Sequence, residues 1–164
     1  KKALLKNEFN FYALFRLSFY RIKDGEYEKS ISYLNKICNN LERFRNHKNE
    51  FSLVYYNLGY SYDKLKKTKE AEKYYLQSYK INPNELNNLV NLSYLYFETR
   101  KLDRALEFIN KAISLYPNNR KLYNNLSKIY SRMGNHLKAV YYNRLGNGVV
   151  VFKTNNEYGL FEIA

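Results

Sequence analysis

Lys121, Asn125, Lys128 and Arg132 follow one another at intervals of four, three and four. On a helix this spacing places all four on one face. Three cations beside an amide make a surface for anions: the charges attract a carboxylate or phosphate, and the amide can donate to it. No Asp or Glu occurs from Phe108 to Asn156. The same stretch holds eight basic residues: Lys111, Arg120, Lys121, Lys128, Arg132, Lys138, Arg144 and Lys153. Nothing within that stretch neutralises them.

Covalent chemistry finds little material. His47 and His136 stand beside Asn in segments that read as turns, where solvated roles are expected. Cys38 is the single cysteine, which excludes an internal disulfide. It falls on an apolar face with Leu34, Ile37 and Leu41, so burial is expected. There is no Cys/His metal spacing, no Gly-rich phosphate loop and no Gly-x-Ser-x-Gly elbow. The expectation is a binding protein and not an enzyme, with no catalytic residue, no metal, no cofactor and no small-molecule substrate.

The elements that position the basic face are helices. With 45% hydrophobic residues the chain can build a continuous core, and with only 6 Gly and 2 Pro it does not read as a turn-rich β fold. The 19 Tyr suit half-buried surfaces, being apolar rings with polar tips. The net charge of +13 points to anionic partners, and a composition rich in Lys, Asn, Tyr and Ile contributes to it. No segment has the ~18 apolar residues of a membrane span. The chain opens Lys1-Lys2-Ala3 without Met, which reads as a piece of a longer protein. Its compartment is left open.

The sequence repeats. Leu58-Gly59-x-x-Tyr62 returns 34 residues on as Leu92-Ser93-x-x-Tyr96, and again as Leu126-Ser127-x-x-Tyr130. Ala71, Ala105 and Ala139 keep the period, as do Asn57, Asn91 and Asn125, and Pro83 and Pro117. Each unit reads as helix A, turn, helix B. Gly59, Ser93, Ser127 and the three Ala are small enough for the helices of a hairpin to approach closely. Pro83 and Pro117 stop helix B, because Pro cannot continue it.

This period and these residues resemble the tetratricopeptide repeat family. Tyr55-x-x-Leu58-Gly59-x-x-Tyr62, Ala71-x-x-x-Tyr75 and Pro83 follow its signature, with Tyr in place of Trp. The resemblance implies an all-α, right-handed α-solenoid of helix-turn-helix repeats over residues 1–147. Its units lie at about 11–51, 52–85, 86–119 and 120–147. In the first, Phe9 to Lys23 reads as helix A, Asp24-Gly25 as the turn, and Tyr27 to about Arg45 as an extended helix B. Gly146 and Gly148 read as helix terminators. Residues 148–164 form a non-repeat tail, extended or hairpin-like, that is either an end cap or the start of a following segment.

By resemblance, helices A line a concave groove that takes an extended or helical segment of another protein. The groove positions carry Tyr12, Phe15 and Phe19 in the first unit, and Tyr56, Asn57 and Tyr60 in the second. The third supplies Asn91, Tyr94 and Phe97, and the fourth Lys121, Asn125, Lys128 and Arg132. One end is aromatic and the other basic. The three Asn either clamp a partner's backbone or belong to the repeat pattern itself. A chaperone-type carboxylate clamp is incomplete: Tyr56 stands where Lys or Arg is needed and Tyr60 where Asn is. The expected function is a protein-interaction scaffold for a partner of acidic character. The alternative is a polyanion, namely RNA, DNA or an anionic lipid surface, held by the basic last unit. Self-association through the last unit and the tail is a further expectation.

Overall fold

The computed structural model describes residues 10–47, 49–153 and 158–162. Among them are eight α-helices: α1 Phe11–Lys23, α2 Tyr27–Cys38, α3 Phe51–Lys64, α4 Thr68–Ile81, α5 Leu86–Glu98, α6 Leu102–Leu115, α7 Arg120–Arg132 and α8 His136–Gly146. Two short strands follow, β1 Val149–Lys153 and β2 Tyr158–Glu162. None of the described helices is long and apolar enough to cross a membrane. Helices of this length are marginal alone in water, so packing must hold them. The chain divides into two units, Lys1–Asn88 and Leu89–Ala164.

In the first unit α1 packs on α2, α2 on α3, and α3 on α4. Leu14, Leu34, Ile37, Val54 and Leu58 are fully buried at its centre. The small position Gly59 lies against α4: a Cβ there would stand 2.6–2.9 Å from the Tyr75 ring. Asn10 caps the start of α1, its side chain accepting from the Ala13 amide at 2.9 Å, and Phe9 lies outside the described residues.

Two expectations for this unit need correction. Helix α2 ends at Cys38 and does not run to Arg45. Asn39 caps it, and the Asn40 side chain donates to the Lys36 carbonyl at 2.8 Å. Asn side chains compete in this way with the helical ladder. The chain then turns back, burying Phe44 against Phe11 with ring centroids 5.5 Å apart. His47 is not a solvated turn residue. Its ring lies flat on Phe11, centroids 4.3 Å apart, and edge-on to Tyr12 at 5.1 Å.

Cys38 is mostly buried against the same core, while Leu41, expected beside it, is exposed. Burial pushes the Cys38 thiol up to about 11. Alkylation of the native chain at about pH 8 is therefore expected to run about 100-fold slower than in the urea-unfolded chain, whose thiol titrates near ~8.5. Equal rates, followed by intact mass, would contradict the burial.

In the second unit the period takes a physical form. The Ser93 hydroxyl donates to the Ala105 carbonyl at 2.9 Å, and Ser127 donates to Ala139 at 2.7 Å. Each bond ties helix A to helix B of one hairpin through its two small residues. Rings twelve residues apart stack across the same hairpins. Tyr96 meets Phe108 at 5.6 Å and Tyr130 meets Tyr142 at 5.4 Å, each pair nearly parallel. The first unit holds the equivalent pair, Tyr62 on Tyr74 at 5.4 Å. Cations cover these rings: Arg104 lies over Tyr96 and Lys138 over Tyr130, one period apart. Tyr96 is buried as the register requires, whereas Tyr62 and Tyr130 are half-buried.

α8 ends at Gly146, where a Cβ would collide with the Asn124 side chain. Close approach of α7 thus explains that glycine better than helix termination does. Termination falls to Gly148, which adopts φ +83 just beyond the cap. β1 and β2 then pair antiparallel, Val149 opposite Glu162 and Lys153 opposite Tyr158, and β1 packs on α8.

Candidate functional site

α5 and α7 occupy the same place in successive repeats, and a cleft of about 100 Å³ opens along them. Val90, Ser93, Tyr94 and Phe97 line it from α5, and Asn125, Lys128 and Ile129 from α7. Ser93 and Ile129 are buried and form its floor. Tyr94 is 56% exposed and stands against Phe97, centroids 6.4 Å apart. Sites for drug-sized ligands typically enclose about 300–1,000 Å³. A cleft of this size has room for one side chain.

Arg132 lies over Phe97, one of the lining residues. Its guanidinium carbon lies 3.8 Å from the centre of the Phe97 ring, and Nη1 donates to the Phe97 carbonyl at 3.1 Å. That carbonyl is in the last turn of α5, where the helix dipole favours a cation. The ring contact and the hydrogen bond hold the guanidinium in place, and the hydrogen bond uses one of its five donors. The remaining donors need only meet a carboxylate and do not have to be ordered first. No carboxylate among the described residues pairs with Arg132 or with the exposed Lys128.

The structure thus brings together Tyr94, Phe97, Asn125, Lys128 and Arg132 of the predicted set. Lys121 lies two turns before Lys128, at the start of α7, and is not part of the cleft. Asn91 is half-buried on α5 and also lies outside it. Ser93 and Ile129 fall outside the predicted set. Ser93 occupies a position assigned to packing and the repeat pattern does not single out Ile129, and only the space between two A helices gives them this role.

The remaining predicted residues are in the first unit. Tyr12 is exposed but packs edge-on to Phe11 and His47. Phe15 lies flat on Phe11 at 6.2 Å and belongs to the edge of the core. Phe19 is exposed with Lys23 over its ring at 4.9 Å. Tyr56 and Tyr60 stack at 6.5 Å, and Tyr60 also meets Tyr27 edge-on. Asn57 is 9% exposed, so little of it is open to a partner in this conformation. No group of three His, Cys, Asp or Glu among the described residues could hold a metal ion.

Tetratricopeptide repeat models match residues 52–85, 87–119 and 108–141. The anaphase-promoting complex subunit CDC16 of Saccharomyces cerevisiae is 29% identical over 97 residues, 59% of this chain and 12% of that protein. The TPR repeat-containing protein MJ1428 of Methanocaldococcus jannaschii is 27% identical over 164 residues, 99% of this chain and 27% of that protein. The chain therefore spans about an eighth and about a quarter of the lengths of these relatives. Among solved structures, MamA superposes with a TM-score of 0.78 at 20% identity, covering 89% of this chain and 81% of MamA. The matched segments contain the small-residue pairs that join each hairpin, the Tyr62–Tyr74 and Tyr96–Phe108 stacks and the prolines that end the B helices, and the chain belongs to the tetratricopeptide repeat family.

Proposed function

We propose that this chain is a protein-interaction scaffold, and that the α5–α7 cleft takes a partner segment in which an apolar or aromatic side chain stands beside a carboxylate. The observation that carries this reading is Arg132, lying over Phe97 and bonded to its carbonyl, with Phe97 itself lining an apolar cleft. The partner's apolar side chain would enter over Val90 and Ile129 and be desolvated against Tyr94 and Phe97. Its carboxylate would meet Arg132 and Lys128, which orient it and speed encounter. Asn125 can donate to or accept from the partner's backbone. Binding changes no covalent bond, and no catalytic step is involved.

A polyanion is the second reading, favoured by the acid-free stretch from Phe108 to Asn156. Against it, the cations of the predicted groove fall in its last unit, at Lys121, Lys128 and Arg132, and not along its length. Nucleic acid needs several phosphate contacts, each adding about 0.7–0.9 to the slope of log affinity against log salt.

Selection of random displayed peptides on the whole chain tests the two readings. Enrichment of an apolar residue within two positions of Asp or Glu is expected, and it should vanish on Lys128→Glu/Arg132→Glu. Unpatterned peptides, together with single-stranded RNA binding that falls steeply with salt, would favour the polyanion.

A further inference from the structure

The second and third repeats differ at one place that bears on the cleft. One period before Val90 stands Tyr56, and one period before Tyr94 stands Tyr60. Residues four apart on a helix are neighbours on one face. In the second repeat this brings the Tyr56 ring onto Tyr60, centroids 6.5 Å apart at 29°, and it also meets Tyr75 at 6.0 Å. Tyr60, with Tyr56 beside it and Tyr27 edge-on, is half-buried.

The third repeat lacks the covering ring. Val90 stands in place of Tyr56, and Ile109 in place of Tyr75. Tyr94 is 56% exposed and, among the described residues, meets no ring but that of Phe97. Val90 and Tyr94 both line the cleft. A ring carried on residue 90 as Tyr56 carries its own would lie on Tyr94, within that space. The fourth repeat offers no such place, because Asn124 and Lys128 hold the two positions.

We infer that the cleft selects an aromatic side chain, Phe or Tyr, over an aliphatic one of similar size: the partner's ring takes the place on Tyr94 that Tyr56 takes on Tyr60. This rests on the cleft being the partner site, and it names what enters there. Paired rings gain from their mutual orientation beyond the area they bury, a gain that an aliphatic chain lacks. Tyr94 supplies the surface for that pairing. Val90 sets the preference, being small enough to leave the place open. The carboxylate beside the ring stays with Lys128 and Arg132.

Four blocked synthetic peptides test this, identical except at one position, which holds Phe, Tyr, Leu or cyclohexylalanine, with Glu two residues away. Each is titrated into the whole chain by calorimetry. The Phe and Tyr peptides are expected to bind about three- to tenfold more tightly than the other two. Tyr94→Leu should bring all four within about twofold of one another. Val90→Tyr should weaken the Phe peptide by about tenfold or more, its own ring taking the place. Its melting midpoint should hold, since the second repeat carries Tyr at this position. A Val90→Tyr chain that does not fold leaves the Tyr94→Leu comparison to decide. Equal binding of all four peptides, lost in Lys128→Glu/Arg132→Glu, would overturn the inference and leave the cleft as the partner site. An aromatic preference that survives Tyr94→Leu, or unweakened binding to a folded Val90→Tyr chain, would overturn it as well. Binding of none of the four would count against the cleft as partner site, and the inference would fall with it.

Discussion

Tyr75→Ala is expected to destabilise the first unit by about 3–5 kcal/mol, the cost of removing a large buried ring and leaving a cavity. Tyr75 is 0% exposed, its ring lies over Gly59, and Tyr56 packs beside it at 6.0 Å. At this chain length the loss corresponds to a midpoint lowered by about 6–20 °C. Gly59→Leu alone should also destabilise, by about 1–3 kcal/mol, because its first carbon would already stand 2.6 Å from the ring. Combined, the two changes should cost less than their sum, by about 0.5–3 kcal/mol, since the leucine can enter the space the ring leaves. Urea denaturation followed by far-UV circular dichroism measures all three variants. Additive costs would mean that the small A-helix position and the B-helix ring do not face each other.

Lys128→Glu/Arg132→Glu is expected to weaken binding of a selected acidic peptide by about 100-fold or more, since juxtaposed like charges cost several kcal/mol. Most of the salt dependence of the association rate should disappear with it. Phe97→Ala keeps both charges but removes the ring over which the guanidinium lies. An exposed cation–π contact is worth about 0.5–1 kcal/mol, so a loss of several-fold is expected. The ordering of the two variants separates electrostatic attraction from preorganisation. A Phe97→Ala loss as large as the charge reversal would mean that the apolar cleft, and not the charge, dominates.

The repeat was legible because packing fixes residue size at a fixed interval. Leu58, Leu92 and Leu126 are buried, and Ser93 and Ser127 use the hydroxyl that Gly59 lacks. Other features depend on contacts that no spacing rule encodes. The end of α2 at Cys38 follows from an Asn pair whose side chain bonds back to the helix. His47 is placed by Phe11, far from it in sequence. At the site, the basic and aromatic residues were visible as types in the sequence. Their pairing was not, because Arg132 reaches Phe97 across 35 residues through a side-chain conformation. Asn57 and Asn125 share a repeat position, yet the first is buried and the second lines the cleft, since their neighbours differ.

The most direct measurement is an NMR titration of the isotope-labelled chain with a peptide selected for an apolar residue beside Asp or Glu. Shifts concentrated on Val90, Tyr94, Phe97, Asn125, Lys128 and Arg132 are expected, together with their loss in Lys128→Glu/Arg132→Glu. Shifts centred away from α5 and α7, or shifts that survive the charge reversal unchanged, would contradict the assignment of the cleft as the partner site.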